Sequence, residues 1–311
     1  MGTQYGRQTL EMRADGEGPV TATLVRRPAA PAPSGAAVLY VHGFVDYFFQ
    51  THLADFYVAQ GYDFYALDLR KHGRSLAPHQ TPNFCTDLAD YYEELDEAVR
   101  VIREDGHDRL LVNGHSTGAL LASLWAHDRR DTGVVDALFL NSAFLEFNEP
   151  WLVRRTATPV TLQVGKRKPK TKLPFGLNPV YGQSLHHTRG GSWDYNLDWK
   201  PLAGFPIYAG WVRAISAGQR RVHAGLDLRI PIFSAASAAS YKSTKWSEAA
   251  RSGDSILDVE HIAHYSTKLG RLVTIARIEG GLHDLALSAE PARKRLFDEL
   301  ERWLGAYLPA R

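Results

Sequence analysis

An α/β fold with a mainly parallel sheet is the class this sequence predicts, on three observations. Short continuous apolar runs, such as Ala37-Val38-Leu39-Tyr40-Val41, read as strands buried on both faces. Amphipathic helical stretches alternate with these runs. Finally, Leu110-Leu111-Val112 leads through Gly114-His115-Ser116-Thr117-Gly118 into an alanine- and leucine-rich segment. That is strand, sharp turn and helix, with a serine hydroxyl standing at the apex.

Residues 20–27 alternate and are rich in threonine and valine, which predicts an early strand. A Pro/Ala loop over 28–37 precedes the strand at 37–41, and His42-Gly43-Phe44 follows it directly. A helix is expected over 51–60, stopping at Gly61, and then a buried strand over 62–69 that enters the polar Asp68 to Ser75 turn. Over 87–103, Leu88, Tyr91, Leu95, Ala98, Val99 and Ile102 recur at spacings of three and four, predicting a helix. The Leu110 strand, a helix over 117–129 and a strand over 134–140 continue the rhythm.

From Ala143 to about Leu228 the alternation breaks. This stretch carries Trp151, Trp193, Trp199 and Trp211 and a basic run from Lys166 to Lys172. The rhythm resumes with Ile230-Pro231-Ile232-Phe233, a helix over 259–269, a strand over 272–278 and a helix over 291–304. The expected organisation is one sheet domain in two parts, 1–142 and 229–311, interrupted by a cap over 143–228. The basic run reads as a solvated loop of that cap, or as a contact for an anionic membrane surface. The cap aromatics suit either an acyl pocket or the cap's own core.

Composition narrows the function. A net charge of +2 gives no global field for nucleic acid, and Cys85, the single cysteine, removes internal disulfides and cysteine-rich zinc sites. No apolar run is long enough to span a membrane, and no basic-then-apolar leader opens the sequence, so a cytoplasmic location is expected. His186-His187 and the pair His261 and His264 could suggest metal, but no acidic or cysteine partner is spaced to complete either set. Neither metal nor cofactor is expected.

A serine hydroxyl becomes a nucleophile when a base takes its proton, and that base needs a third group to orient it. His283, in Glu279-Gly280-Gly281-Leu282-His283-Asp284 just past the last expected strand, stands where the base belongs. Asp254 and Asp258 are the candidates for the third group. Asp254 follows a Ser-Gly turn and suits the loop position, whereas Asp258 suits the N-cap of the next helix. Two amides should stabilise a developing oxyanion: Thr117 N–H, after the serine, and Phe44 N–H, after His42-Gly43. His115 is expected to point away from the hydroxyl, and Asp68, Arg70 and His72 to brace a nearby loop.

Together these motifs resemble the α/β-hydrolase superfamily, and within it the monoacylglycerol lipase-like branch, also called the S33 serine aminopeptidase or lysophospholipase-like group. The resemblance covers the sheet domain. It implies a triad of Ser116, Asp254 and His283, an oxyanion hole of Phe44 and Thr117, and a lipophilic carboxylic ester as substrate. Amide, lactone or thioester cleavage by the same triad, and a non-catalytic binding protein on the same fold, are the other readings. Dehalogenase and epoxide hydrolase chemistry would need an aspartate at position 116. Two departures stand out. Lys71 occupies a position where glycine is common, and a long segment separates the Ile232 strand from Asp254.

Overall fold

The computed structural model describes residues 2–29, 35–148 and 151–309, without the side chains of 151–158. Residues 30–34 of the Pro/Ala loop expected at 28–37, and the side chain of Trp151 as a cap aromatic, therefore lie outside the described residues. Among those described, the chain forms one eight-stranded sheet in the order β1-β2-β4-β3-β5-β6-β7-β8. Strands β3 (Ala36–Val41), β4 (Asp63–Asp68), β5 (Arg109–His115), β6 (Ala137–Asn141), β7 (Ile232–Ser237) and β8 (Val273–Ile278) run parallel. Strands β1 (Gly6–Asp15) and β2 (Gly18–Arg27) form an antiparallel pair joined to β4.

The period of two explains why strands β3 to β7 are buried on both faces, whereas β8 is buried fully only at Ile278. In β3, Ala37, Leu39 and Val41 enter one core layer while Ala36, Val38 and Tyr40 enter the other. The first layer is covered by α2 (Tyr92–Glu104) and α3 (Thr117–Asp128), and α7 (Val259–Ser266) adds Ile262 to it. The second is covered by α1 (Thr51–Ala59) and α8 (Glu290–Tyr307), through Leu53, Tyr57, Leu296, Leu300 and Trp303. No helix among the described residues is long and apolar enough to cross a membrane.

Sequence expectation and structure differ in two places. The β1 strand was not anticipated: it is an edge strand in which Leu10 alone is fully buried, so it has no apolar run to betray it. The helix expected from residue 87 opens with a 3₁₀ turn, Leu88–Tyr91, before becoming α-helical at Tyr92. The stretch between β6 and β7 contributes helices α4 (Trp151–Arg167), α5 (Pro179–Leu185) and α6 (Ala209–Ala224) and no strand to the sheet. Its aromatic residues face the core loops. Tyr181 and Tyr195 cluster with Tyr47, Leu282 and Leu287, and Trp211 packs on Phe44 with ring centroids 4.3 Å apart.

Candidate active site

At the end of β5 the chain turns through Ser116, whose φ of 53° and ψ of −116° lie where a non-glycine residue costs about 1–3 kcal/mol. The bend demands close backbone approach. A Cβ on Gly114 would lie 2.5 Å from Ala119 Cα, and one on Gly118 would lie 2.3 Å from His42 O. The glycines thus let the start of α3 press against both its own strand and the loop after β3. Ser116 is held from behind by donating its N–H to Asn141 O at 2.9 Å.

His283 arrives on the loop after β8, with Nε2 3.0 Å from Ser116 Oγ and Nδ1 2.9 Å from Asp254 Oδ2. Asp254 Oδ1 already accepts the N–H groups of Ile256 and Leu257, both at 2.8 Å. An ionised carboxylate can only accept, so Nδ1 carries the imidazole proton and Nε2 is left to accept from the serine hydroxyl. All three side chains are at least nine-tenths buried. Asp258 lies elsewhere in role: it caps α7 by accepting from Glu260 N–H at 3.0 Å.

The long segment before Asp254 has a simple geometry. Residues beyond β7 leave the sheet and return, and Asp254 re-enters beside the strand end. Asp254 N–H donates to Ala239 O at 2.9 Å, and Tyr241 N–H donates to Asp254 O at 2.6 Å. A bridge between Ser240 and Asp254 closes the excursion. In space the carboxylate therefore sits a few residues past β7, although in sequence it is far away.

Among the described residues, neither the Phe44 N–H nor the Thr117 N–H is engaged in a hydrogen bond. Thr117 opens α3, where N–H groups lack helical acceptors and the helix dipole is positive. Beside them a cavity of about 10 Å³ is lined by Gly43, Phe44, Thr117, Leu121, Trp211 and Ile215, among others. That is roughly the space of one water molecule.

The braced loop follows the sequence expectation. Asp68 accepts from Phe48 N–H at 2.9 Å and from Arg74 at 2.6 Å, and Arg70 reaches the fully buried Glu94 at 2.6 Å. Burial, then the neighbouring His42, push His72 down to about 3, so it is neutral. Lys71 adopts φ 61°, the conformation that favours glycine, and its buried ammonium pairs with Asp15 at 2.5 Å and Glu17 at 2.7 Å. This accounts for the first departure.

One part of the site was not legible in the sequence. His115 does turn from the hydroxyl, but it enters a buried charged cluster rather than simple apolar packing. Its Nδ1 lies 3.3 Å from Asp46 Oδ2, and its ring centroid is 5.1 Å from that of His283. Burial opposes its protonation, yet the charges of Asp284 and Asp46 outweigh burial and raise its pKa. Asp46 in turn pairs at 2.7 Å with Lys200, a buried lysine of the β6–β7 insertion. Burial works against the charge of Asp46, but Lys200 and His115 hold its carboxyl well below the usual range. The Lys200 ammonium also lies 5.6–5.8 Å from the ring centroids of Phe49, Tyr181 and Tyr195. No spacing rule connects position 200 to position 46.

A strained serine at a strand–helix turn on this sheet, with histidine and aspartate on later strand-end loops, defines an α/β-hydrolase fold. The sequence profile of the serine aminopeptidase S33 family matches residues 32–233, and the chain belongs to that hydrolase family. No curated protein matches the sequence significantly. Solved structures similar to this fold include a soluble variant of monoglyceride lipase from Saccharomyces cerevisiae in complex with a substrate analog. It has 14% identity and a TM-score of 0.70, over 96% of this chain and 94% of that one. A monoacylglycerol lipase of Paleococcus ferrophilus has 16% identity and a TM-score of 0.67, over 98% and 100% of the two chains. A thermophilic esterase from Thermogutta terrifontis, with malate bound, has 14% identity and a TM-score of 0.60, over 96% and 99%.

Proposed function

We propose that the protein is a serine carboxylester hydrolase working through an acyl-enzyme on Ser116. The observation that carries this reading is the continuous chain of hydrogen bonds from Ser116 Oγ through His283 to Asp254. His283 Nε2 takes the hydroxyl proton as Oγ attacks the ester carbonyl. Asp254 holds the ring in the required tautomer and stabilises the imidazolium that forms. The Phe44 and Thr117 amides receive the oxyanion. The imidazolium then protonates the leaving alkoxide, and the same nitrogen activates water to release the acid.

The residues 143–228 act as the cap. Trp211 of α6 packs against Phe44, the residue whose amide is one oxyanion donor, which supports a cap that covers the site. The Phe44, Leu121, Trp211 and Ile215 side chains beside the two amides are apolar, which supports an acyl group of short to medium length as the substrate's acid part. The lipases and esterase named above make glyceryl and other lipophilic esters reasonable first substrates.

A series of p-nitrophenyl and glyceryl esters of increasing acyl length tests this reading. Wild type should hydrolyse the shortest members fastest, Ser116→Ala should hydrolyse none, and Trp211→Ala should move the optimum to longer chains. Equal rates for wild type and Ser116→Ala would defeat the proposal.

A further inference from the structure

The sequence offered His186-His187 without a third ligand, and the fold supplies one. Asp194 Oδ1 lies 3.7 Å from His186 Nε2 and 3.6 Å from His187 Nδ1, and the three ligand atoms lie within 4.8 Å of one another. A zinc-class ion about 2.1 Å from each atom of a tetrahedral set places those atoms roughly 3.4 Å apart. Both imidazole–carboxylate separations are within a few tenths of an ångström of that figure. Two imidazoles and one carboxylate suit a borderline divalent cation such as Zn²⁺ better than Mg²⁺ or Ca²⁺.

The backbone holds these groups in place. His187 N–H donates to Trp193 O at 2.8 Å, Trp193 N–H to Leu185 O at 2.9 Å, and Gly191 N–H to His186 O at 3.2 Å. The buried His186 ring lies between His187 and Tyr195, with centroids 4.6 Å and 4.7 Å away. Its Nδ1 lies 2.8 Å from Thr188 Oγ1 and accepts the Thr188 N–H at 3.3 Å. A cation on Nε2 would take the tautomer in which Nδ1–H donates to that hydroxyl, given in exchange for the longer Thr188 N–H bond. Among the described residues, Asp194 pairs with no lysine or arginine and with these two imidazoles alone.

The other cluster of metal-ligand type, Asp46, His115 and Asp284, differs on this point. There the Lys200 ammonium, 2.7 Å from Asp46, already supplies the cation. At His186, His187 and Asp194 the fold supplies none.

We propose that His186, His187 and Asp194 bind one divalent cation of the zinc class, with water completing the coordination. The ion would clamp residues 186–194 and fix the stretch that follows. That stretch reaches the core loops: Trp193 Nε1–H donates to Leu287 O at 2.7 Å, and Asn196 N–H donates to Tyr47 Oη at 2.8 Å. Metal would therefore stiffen the insertion where it meets the loops after β3 and β8. The site is independent of whether Ser116 is the nucleophile.

The test uses the full chain, stripped with chelator and free of any histidine tag. Titration with Co²⁺ should give one ion per chain and the visible absorption bands of a four- or five-coordinate site, displaced by Zn²⁺. Zn²⁺ should raise Tm by several degrees. The exposed His187 and Asp194 permit mild variants: His187→Gln and Asp194→Asn should keep the apo Tm and weaken binding at least tenfold. His264→Gln, on the surface of α7, should change nothing. Absence of Co²⁺ uptake by wild type, or uptake unchanged in both site variants, would overturn the proposal.

Discussion

On the core side of the site, polar groups are matched by short, directed hydrogen bonds. Ser116 meets His283, His283 meets Asp254, and the remaining oxygen of Asp254 meets two backbone amides. On the insertion side the contacts are aromatic faces and one ammonium: Trp211 on Phe44, Trp199 edge-on to Tyr47, and Lys200 among three rings and against Asp46. Directional bonds fix a reacting geometry to a fraction of an ångström, whereas packed rings and a caged cation close a site while tolerating movement. Under the proposed function, the difference divides the labour: strand-end loops would position the chemistry, and the insertion would govern what enters the site.

The core side should break first and furthest. On a chromogenic ester, Asp254→Asn is expected to lower kcat about 10⁴-fold, because an amide can present its N–H to Nδ1 and select the wrong tautomer. Asp258→Asn should remain within a few-fold of wild type, since it weakens only a helix cap of about 1 kcal/mol. The opposite ranking would move the acid to Asp258.

A smaller effect is expected from the insertion. Lys200→Met leaves Asp46 beside His115 alone and loosens the loop that carries the Phe44 amide. The expected loss is roughly 10²-fold in kcat, the scale of an ångström-sized misplacement, with KM changed far less. Lys200→Arg should recover part of it. If Lys200→Met raises KM with kcat intact, the lysine serves substrate binding and not the oxyanion loop.

The smallest effects lie in pH. His115 has a raised pKa in the folded chain, so its contribution to stability is complete below the ordinary histidine value of about 6.5 and lost as pH rises through the raised one. His72 has the opposite sign. The unfolded chain binds a proton near 6.5 that the folded chain refuses until about 3, so stability is lost as pH falls across that window. Denaturant unfolding of wild type and His115→Gln should show a stability gap that narrows on the alkaline side. A gap constant with pH would mean that His115 is not protonated among Asp46, Asp284, Lys200 and His283.

Much of this was legible in the sequence, for physical reasons. Strands β3 to β7 are buried on both faces and announce themselves as apolar runs, and the Gly114–Gly118 turn is legible because close approach admits only glycine at its ends. Position 283 follows from the order of strands. What stayed hidden depends on distant pairings: β1, whose exposed edge needs few apolar residues; the loop beyond β7 that returns Asp254; and the contacts of Lys200 with Asp46 and of Asp194 with His186. Even Asp254, which the sequence prefers over Asp258 on local turn chemistry, reaches His283 through a bridge to Ser240 that no local pattern shows.

The central claim is that Ser116 is the nucleophile, and a fluorophosphonate probe followed by intact-mass and peptide analysis tests it most directly. One adduct per chain is expected, located on Ser116, absent from Ser116→Ala and strongly slowed in His283→Ala. No adduct on folded wild type, or an equal adduct on Ser116→Ala, would contradict it.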